Sequence, residues 1–248
     1  MLPLDGKIIL LTGAARRVGA AIARRLHDSG ATLALHYRDS AVEAGQLAGE
    51  LNVARPHSCA VFQADLLETA ALPCLAAAVA DHFGNLDGLV NNASSFFPTP
   101  FGQIDEAAWI DLVGTNFKAP LFLSQAAAPY LAARGGAIVN ITDIHAERPL
   151  KGYPLYSAAK GALLTLTRAL AIELAPKVRV NAVAPGPVLW PADGQMAGVE
   201  RQQIIDHTLL QREGTPADIA GAVHFLLAEA TYMTGQVLNI DGGRTAHL

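Results

Sequence analysis

The sequence predicts an α/β fold in which a single doubly wound parallel sheet has helices on both faces. Apolar strand-like runs alternate with helical patterns along the whole chain, which is typical of βαβ units with right-handed crossovers. The first apolar run leads directly into a glycine turn and an alanine-rich amphipathic segment that reaches Leu26. Because 248 residues without repeats or low-complexity linkers fit one such fold, we expect residues 1–248 to form a single domain.

The elements follow in order along the chain. The apolar run after Lys7 is rich in Ile and Leu, as a buried parallel strand should be. Pro129 is expected to kink or end its helix. Further strands are predicted at Thr32–His36, Ala60–Gln63, Leu86–Asn91, Ala137–Thr142, Val178–Val183 and Gln236–Ile240. Helices are predicted at Ala41–Leu51, Thr69–Phe83, Ala107–Ala133 and Gly161–Ala175, with an insertion at Trp190–Gly214 before the last helix.

Composition excludes several classes of function. A net charge of −4 argues against general affinity for nucleic acid. Two cysteines, Cys59 and Cys74, suit a reducing compartment, and the eight histidines show no metal-ligand spacing. No apolar run approaches the roughly 20 residues of a membrane span, and none near Asp5 suggests a signal peptide. We therefore expect a cytoplasmic protein that binds neither metal, membrane nor nucleic acid.

The glycine turn is the first candidate site. Thr12-Gly13-Ala14-Ala15-Arg16-Arg17-Val18-Gly19 joins the first strand to the first helix. In dinucleotide-binding folds, backbone N–H groups of such a turn and the N-terminus of the helix face a pyrophosphate. The alternative is a simple strand-to-helix turn in which glycine is needed only for a positive φ.

Tyr156 and Lys160 form the second candidate site. Their spacing of four residues puts both side chains on one face of a helix. A tyrosine hydroxyl normally titrates near pH 10, and a nearby ammonium favours the phenolate. The pair therefore predicts a general acid/base tyrosine whose pKa the lysine lowers, although the same spacing also occurs on solvated helices.

Together with Asn91-Asn92-Ala93 and Pro185-Gly186-Pro187, these motifs resemble the short-chain dehydrogenase/reductase family over Lys7–Gly243. The resemblance implies a Rossmann-type domain, a homotetramer and a substrate lid at 190–214. Three departures from the wider family resemble its pteridine reductase branch. They are Arg17 where a glycine is usual, Ser94 where a glycine is usual, and Asp143 where a catalytic serine is usual.

The end of the second strand predicts NADPH as the cofactor. An acid usually binds the ribose 2′-hydroxyl of NAD here, whereas an arginine binds the 2′-phosphate of NADP. This chain has Arg38, followed by Ser40 at a predicted helix start, although Asp39 leaves ordinary loop charges as the alternative. The resemblance implies cofactor contacts from Gly13, Arg16, Arg17, Val18, Gly19, His36, Tyr37, Arg38, Ser40, Asp65, Leu66, Asn92, Ala93, Ser94, Thr142, Tyr156, Lys160, Pro185, Gly186 and Val188.

Structural explanations compete with several of these assignments. Asp65 could be a helix cap, Asn92 a turn residue and Asp143 a cap after its strand. Asn116 lies inside an apolar helical pattern, where a buried amide needs partners, and the resemblance implies that it holds a proton-relay water. The resemblance implies catalytic roles for Asp143, Tyr156, Lys160 and Asn116, and substrate contacts from Arg17, Ser94, Phe96, Asp143 and Tyr156.

The combined pattern predicts NADPH-dependent reduction of dihydropterins to tetrahydropterins, with dihydrofolate as a further candidate substrate. An exposed aromatic side chain at the cleft can stack on a flat ring, whereas simple core packing explains at least one of Phe96 and Phe97. The resemblance implies that Phe96 is the residue that stacks. Two alternatives remain open from the sequence. One is an NADPH-dependent carbonyl reductase acting on a keto substrate such as a 3-oxoacyl thioester, and the other is a non-catalytic dinucleotide sensor.

Overall fold

A computed structural model describes residues 2–188 and 198–246 and confirms the predicted doubly wound α/β fold. Seven strands form one sheet in the order β3-β2-β1-β4-β5-β6-β7, and every neighbouring pair is parallel. The strand order reverses between β1 and β4, so the crevice at their carboxyl ends is where such sheets bind ligands. The strands are β1 Ile8–Leu11, β2 Thr32–Tyr37, β3 Cys59–Gln63, β4 Gly88–Asn91, β5 Ala137–Ile141, β6 Arg179–Pro185 and β7 Val237–Ile240.

Helices cover both faces of this sheet and bury its aliphatic side chains. One buried cluster joins the first face to α1, α2 and α8, and a second joins the opposite face to α3, α5 and α6. Alternate strand residues enter alternate clusters, since Ile9 and Leu11 lie in the first and Ile8 and Leu10 in the second. The helices are α1 Arg17–Asp28, α2 Ala41–Ala54, α3 Leu72–Phe83, α4 Glu106–Val113, α5 Ala119–Arg134, α6 Pro154–Leu174, α7 Gly198–Asp206 and α8 Pro216–Ala228.

The predicted helix Ala107–Ala133 differs most from the structure. It is two helices, α4 and α5, joined by a π-helical turn at Gly114–Lys118. Pro129 does not end its helix, because α5 continues to Arg134 and stops at Gly135 in the left-handed conformation. Single π-helical turns often occur at functional sites, and this one contains Asn116. Of the predicted insertion at 190–214, residues 190–197 lie outside the described part of the chain.

Candidate active site

A cavity of about 390 Å³ lies at the carboxyl ends of β1, β2, β3 and β4, where the strand order reverses. The predicted glycine turn forms its floor. Gly13 has φ +61°, and a Cβ on Gly19 would lie 2.2 Å from the carbonyl oxygen of Gly13, so both positions require glycine. The cavity is lined by Gly13, Ala15, Arg16, Arg17, Val18, Gly19, His36, Tyr37, Arg38, Asp39, Ser40, Asp65, Leu66, Asn92, Ala93, Ser94, Ser95 and Thr115.

The first turn of α1 borders this cavity, as a pyrophosphate site requires. Arg16, the N-cap residue, and the residues of the first turn line the cavity, so the N-terminus of the helix, with its partial positive charge, lies beside it. Arg17 adopts φ +53°, a conformation that L-residues other than glycine rarely adopt. Such backbone strain is characteristic of functional sites. The residues present therefore fit the diphosphate of a dinucleotide.

His36 and Asn92 hold the glycine turn in place. Nδ1 of His36 accepts from the N–H of Gly13 at 3.3 Å, and Nε2 donates to the carbonyl of Ala64 at 3.0 Å. Burial lowers the pKa of His36, which keeps the ring neutral as this pattern requires. Nδ2 of Asn92 donates to the carbonyls of Thr12 and Gly13 at 2.9 and 3.0 Å. Both side chains thus form hydrogen bonds with the protein backbone and shape the cavity.

Two arginines that line the cavity have acidic partners. Nε of Arg38 lies 2.8 Å from Oδ2 of Asp39, and Nη1 of Arg16 lies 3.4 Å from Oε1 of Glu43. These pairs are exposed to solvent and therefore contribute little to stability. Ser40 is the N-cap residue of α2, but its hydroxyl does not cap that helix.

Asp65 and Leu66 also line the cavity. Oδ1 of Asp65 accepts from the N–H of Leu67 at 2.9 Å, so this residue stabilises a turn and also lines the cavity. Leu66 is buried beneath it. Both explanations offered by the sequence for Asp65 are thus compatible with its position.

The candidate catalytic residues Asp143, Tyr156 and Lys160 lie outside the cavity lining, near the carboxyl end of β5. The hydroxyl of Tyr156 donates to Oδ2 of Asp143 at 2.7 Å, while Oδ1 of Asp143 accepts from the N–H of His145 at 2.8 Å. Asp143 is therefore both the cap of a short 3₁₀ turn and a partner of the tyrosine. Nζ of Lys160 donates to the carbonyl of Ile141 at 2.9 Å and lies 5.7 Å from the centre of the Tyr156 ring.

Burial controls the ionisation of this group. The pKa of Tyr156 is raised well above its ordinary value, first by burial and then by the charge and hydrogen bond of Asp143. Burial also lowers the pKa of Lys160 to about 8, against the opposing effect of Asp143. The expectation that Lys160 lowers the pKa of Tyr156 is therefore wrong for this structure, because Asp143 contacts the hydroxyl directly and the ammonium does not. Tyr156 is a neutral phenol at neutral pH.

Asn116 in the π-helical turn is fully buried and has several partners. Its Nδ2 donates to the carbonyls of Ser95 and Leu112, both at 2.9 Å, and its Oδ1 accepts from the hydroxyl of Ser94 at 2.7 Å. The amide thereby fixes the segment that follows β4. The side chain of Ser94 also acts on Tyr156, where it lowers the pKa of the phenol against the larger effects of burial and Asp143. The structure thus brings Ser94, Asn116 and Tyr156 together.

Phe96 and Phe97 differ in their surroundings. Phe97 packs in a buried cluster with Leu112, Leu155 and Tyr156. Phe96 is 40% exposed, stacks on Tyr153 with centroids 4.6 Å apart and meets Tyr156 edge-on at 4.8 Å. Sequence reasoning missed Tyr153, although its position three residues before Tyr156 places it near the same helix face.

The remaining predicted cofactor residues lie outside the cavity lining. The hydroxyl of Thr142 is buried and donates to the carbonyl of Val183 at 3.0 Å. A Cβ on Gly186 would lie 2.7 Å from Cα of Asp241, so a larger residue would clash there. Pro185 ends β6 and Val188 is buried just before residues 189–197, which the structure does not describe.

Over residues 2–188 and 198–246, no group of three or more His, Cys, Asp or Glu side chains could hold a metal ion. The helices within those ranges include none that is both long and apolar enough to cross a membrane.

Comparison with known proteins identifies the family. Residues 13–245 match a family model described as enoyl-(acyl carrier protein) reductase. A mutant of a Serratia marcescens short-chain dehydrogenase/reductase has a similar structure, with a TM-score of 0.91, 34% identity and coverage of 98% of this chain and 99% of that chain. The chain belongs to the short-chain dehydrogenase/reductase family. As a member it is an oxidoreductase that uses a nicotinamide cofactor.

Curated relatives of this oxidoreductase include enzymes with different substrates. Pteridine reductase 1 of Leishmania tarentolae is 38% identical, with 95% of each chain covered. The 3-oxoacyl-[acyl-carrier-protein] reductase of Staphylococcus aureus is 33% identical, over 96% of this chain and 97% of the relative. Identities of this size establish the family, whereas the substrate must be argued from the site.

Proposed function

We propose that this reductase uses NADPH to reduce dihydropterins to tetrahydropterins, with dihydrofolate as a further candidate substrate. The observation that carries the proposal is the hydrogen bond of 2.7 Å between the hydroxyl of Tyr156 and Oδ2 of Asp143. Reduction of a pterin needs a proton at a ring nitrogen, and this pair holds a proton between two oxygens. The 38% identity to a pteridine reductase supports the same substrate class.

Each residue of the pair has a defined part in this reaction. NADPH supplies a hydride when it is bound. Tyr156 keeps its proton at neutral pH because burial and Asp143 raise its pKa, which is the form a proton donor needs. Asp143 orients the hydroxyl and assists delivery of the proton to the ring nitrogen. Lys160, as an ammonium, would hold the nicotinamide ribose, and the amide of Asn116 would keep the adjoining loop in place.

Phe96 and Arg17 support a flat, polar ring as the substrate. The half-exposed ring of Phe96 is fixed from one side by Tyr153, so its other face is the surface on which a pterin would stack. Arg17 lies where the cofactor diphosphate and a heterocycle could both reach its guanidinium. Arg38 and Ser40 favour NADPH over NADH through the 2′-phosphate.

A carbonyl reductase is the competing enzyme, since a 3-oxoacyl reductase is 33% identical over nearly the whole chain. Carbonyl reduction places developing negative charge on oxygen in the transition state, and a neutral hydroxyl donor stabilises that charge. An anionic Asp143 beside Tyr156 would repel it. The position of Asp143 therefore favours the pterin, and the intact Tyr156 and Lys160 disfavour a non-catalytic sensor.

We also propose a cytoplasmic homotetramer. Large apolar side chains are exposed on α4, α5 and α6, and a patch of such side chains marks a surface for a protein partner. Pairing between subunits would bury Trp109 and Ile110 of α4, Phe122 of α5 and Ile172 of α6. Light scattering coupled to size-exclusion chromatography measures the mass in solution, and a monomer would contradict the proposal.

A substrate screen tests the function directly. Oxidation of NADPH is followed with a dihydropterin, with dihydrofolate, with an activated ketone, with a 3-oxoacyl thioester and with no acceptor. We expect kcat/KM to be highest for the dihydropterin. Efficient reduction of the ketone or thioester without pterin turnover would establish the carbonyl reductase instead. NADPH binding without any turnover would support the sensor.

A further inference from the structure

A chain of buried polar side chains crosses the core below the candidate active site. Nδ2 of Asn91 donates to Oγ of Ser124 at 3.2 Å and to Oδ1 of Asn140 at 2.8 Å. Nδ2 of Asn140 donates to Oγ1 of Thr167 at 2.9 Å, and that hydroxyl donates to the carbonyl of Leu163 at 2.9 Å. Asn140 and Thr167 are both 0% exposed. Burying such groups costs free energy that aliphatic side chains would not cost, so stability alone does not explain them.

These hydrogen-bonded side chains lie close to the candidate catalytic residues along both β5 and α6. Asn140 immediately precedes Ile141, whose carbonyl accepts from Lys160, and lies three residues before Asp143. Thr167 follows Lys160 by seven residues, which is two turns of α6 on the same helix face. Helix α6 is therefore attached to strand β5 by hydrogen bonds at two points about 10 Å apart along its axis.

Hydrogen bonds fix the axial position of a helix sharply, because a bond of 2.9 Å is lost when its atoms separate by about 1 Å. The distance of 2.7 Å between Tyr156 and Asp143 depends on the same alignment, because one residue is on α6 and the other follows β5. A misplacement of 1 Å can reduce catalysis by about 100-fold.

We infer that Asn140 and Thr167 are positioning residues whose hydrogen bond sets α6 against β5 and thereby holds Tyr156 on Asp143. Neither side chain touches the cavity. The inference rests on the proposed catalytic role of Tyr156, which the pterin and ketone reactions share.

The test compares substitutions that remove one buried hydroxyl each. Thr167→Val keeps the side-chain shape but removes the hydroxyl that accepts from Asn140, and Thr167→Ser restores it. Ser124→Ala is the matched control, because it removes a hydroxyl from the same buried chain on α5 and leaves the attachment of α6 intact. Thermal unfolding, NADPH affinity, kcat, KM and the pH profile of kcat/KM are measured for each, with whichever substrate the wild type reduces.

We expect Thr167→Val to lower kcat roughly tenfold or more and to displace the pH profile, while KM and NADPH affinity change little. Thr167→Ser should recover most of the activity. Ser124→Ala should lose thermal stability yet keep the wild-type kcat and pH profile. Wild-type kcat in Thr167→Val would overturn the inference, and so would an equal loss of kcat in Ser124→Ala. Either result would show that the buried hydrogen-bonded side chains only stabilise the fold.

Two further measurements test the inference if Thr167→Val does not fold or if the wild type shows no activity. If Thr167→Val does not fold, Thr167→Cys retains volume with a weaker hydrogen-bonding group, and unchanged kcat there would overturn the inference. If the wild type reduces neither pterin nor ketone, the proposed function fails by itself. NMR of ring-labelled tyrosine, assigned with Tyr156→Phe, then reports the contact with Asp143 without any substrate. A Tyr156 signal unchanged by Thr167→Val would end the positioning role.

Discussion

The hydroxyl of Tyr156 and the carboxylate of Asp143 lie 2.7 Å apart, although one belongs to a helix and the other follows a strand. Asp143 reaches the tyrosine with one oxygen while its other oxygen caps the turn that follows β5. One side chain therefore anchors the turn and also carries the proposed chemical role. This relationship determines how each proposed catalytic residue should respond to substitution.

Tyr156→Phe should lower kcat by roughly 10²–10⁴-fold while folding and NADPH affinity remain close to wild type. The change deletes only the hydroxyl, and the ring stays in its buried cluster with Leu155. Steady-state kinetics, fluorescence titration with NADPH and thermal unfolding check the three expectations. Near-normal kcat would mean that the proton comes from another group.

Asp143→Asn should remove most dihydropterin reduction, on the order of 10²-fold, because a neutral amide no longer assists proton delivery. Asp143→Ser should lose pterin activity as well and gain weak reduction of an activated ketone, since a hydroxyl suits a developing alkoxide. The comparison is kcat/KM for both substrates in all three proteins. Full pterin activity in Asp143→Asn would leave the substrate assignment intact but refute this role for Asp143.

Arg38→Ala should reduce the preference for NADPH over NADH by about 1.5–3 kcal/mol, the contribution of a hydrogen bond to a charged group. Asp39→Asn should increase that preference, because Asp39 competes with the 2′-phosphate for the same guanidinium. The ratio of kcat/KM for the two cofactors measures both effects. Arg24→Ala is the matched control, since Arg24 is also exposed and paired, with Glu50. Equal use of both cofactors by the wild type would contradict the assignment.

The pH profile should show an alkaline limb from Lys160. Burial lowers its pKa to about 8, so the ammonium is present below that pH and is lost as pH rises through it. Because kcat/KM reports ionisations of the free enzyme, it should fall about tenfold per pH unit above this value. Lys151→Met alters an exposed lysine and should leave the limb in place. A profile that stays flat to pH 10 would exclude an essential Lys160 ammonium.

Phe96→Leu should raise KM for a dihydropterin by about 3- to 10-fold with little change in kcat, because it removes the stacking surface but no acid or base. Phe101→Leu is the control, since Phe101 is an aromatic residue five positions later in the same segment and is 94% exposed. Kinetics at saturating NADPH separate KM from kcat. An equal rise in KM for both variants would argue against a specific contact with Phe96.

Local patterns in the sequence determined the fold and much of the cavity at the carboxyl edge of its sheet. Alternation of strands and helices is a local property, and the structure confirms it. The glycine turn was equally readable, because Gly13 needs a positive φ and Gly19 allows a close approach of backbone. The assignment of individual residues to NADPH and pterin stays a prediction, although many of them line one cavity.

Only the tertiary structure decided the features that depend on distant contacts. The pKa of Tyr156 is set by burial and by Asp143, neither of which a spacing of four residues reveals. The π-helical turn around Asn116 interrupts an apolar pattern that by itself predicts one continuous helix. The pairing of Asn140 with Thr167 arises because the crossover brings β5 and α6 together. Periodicity specifies which face of an element is buried, whereas packing alone specifies which atoms meet there.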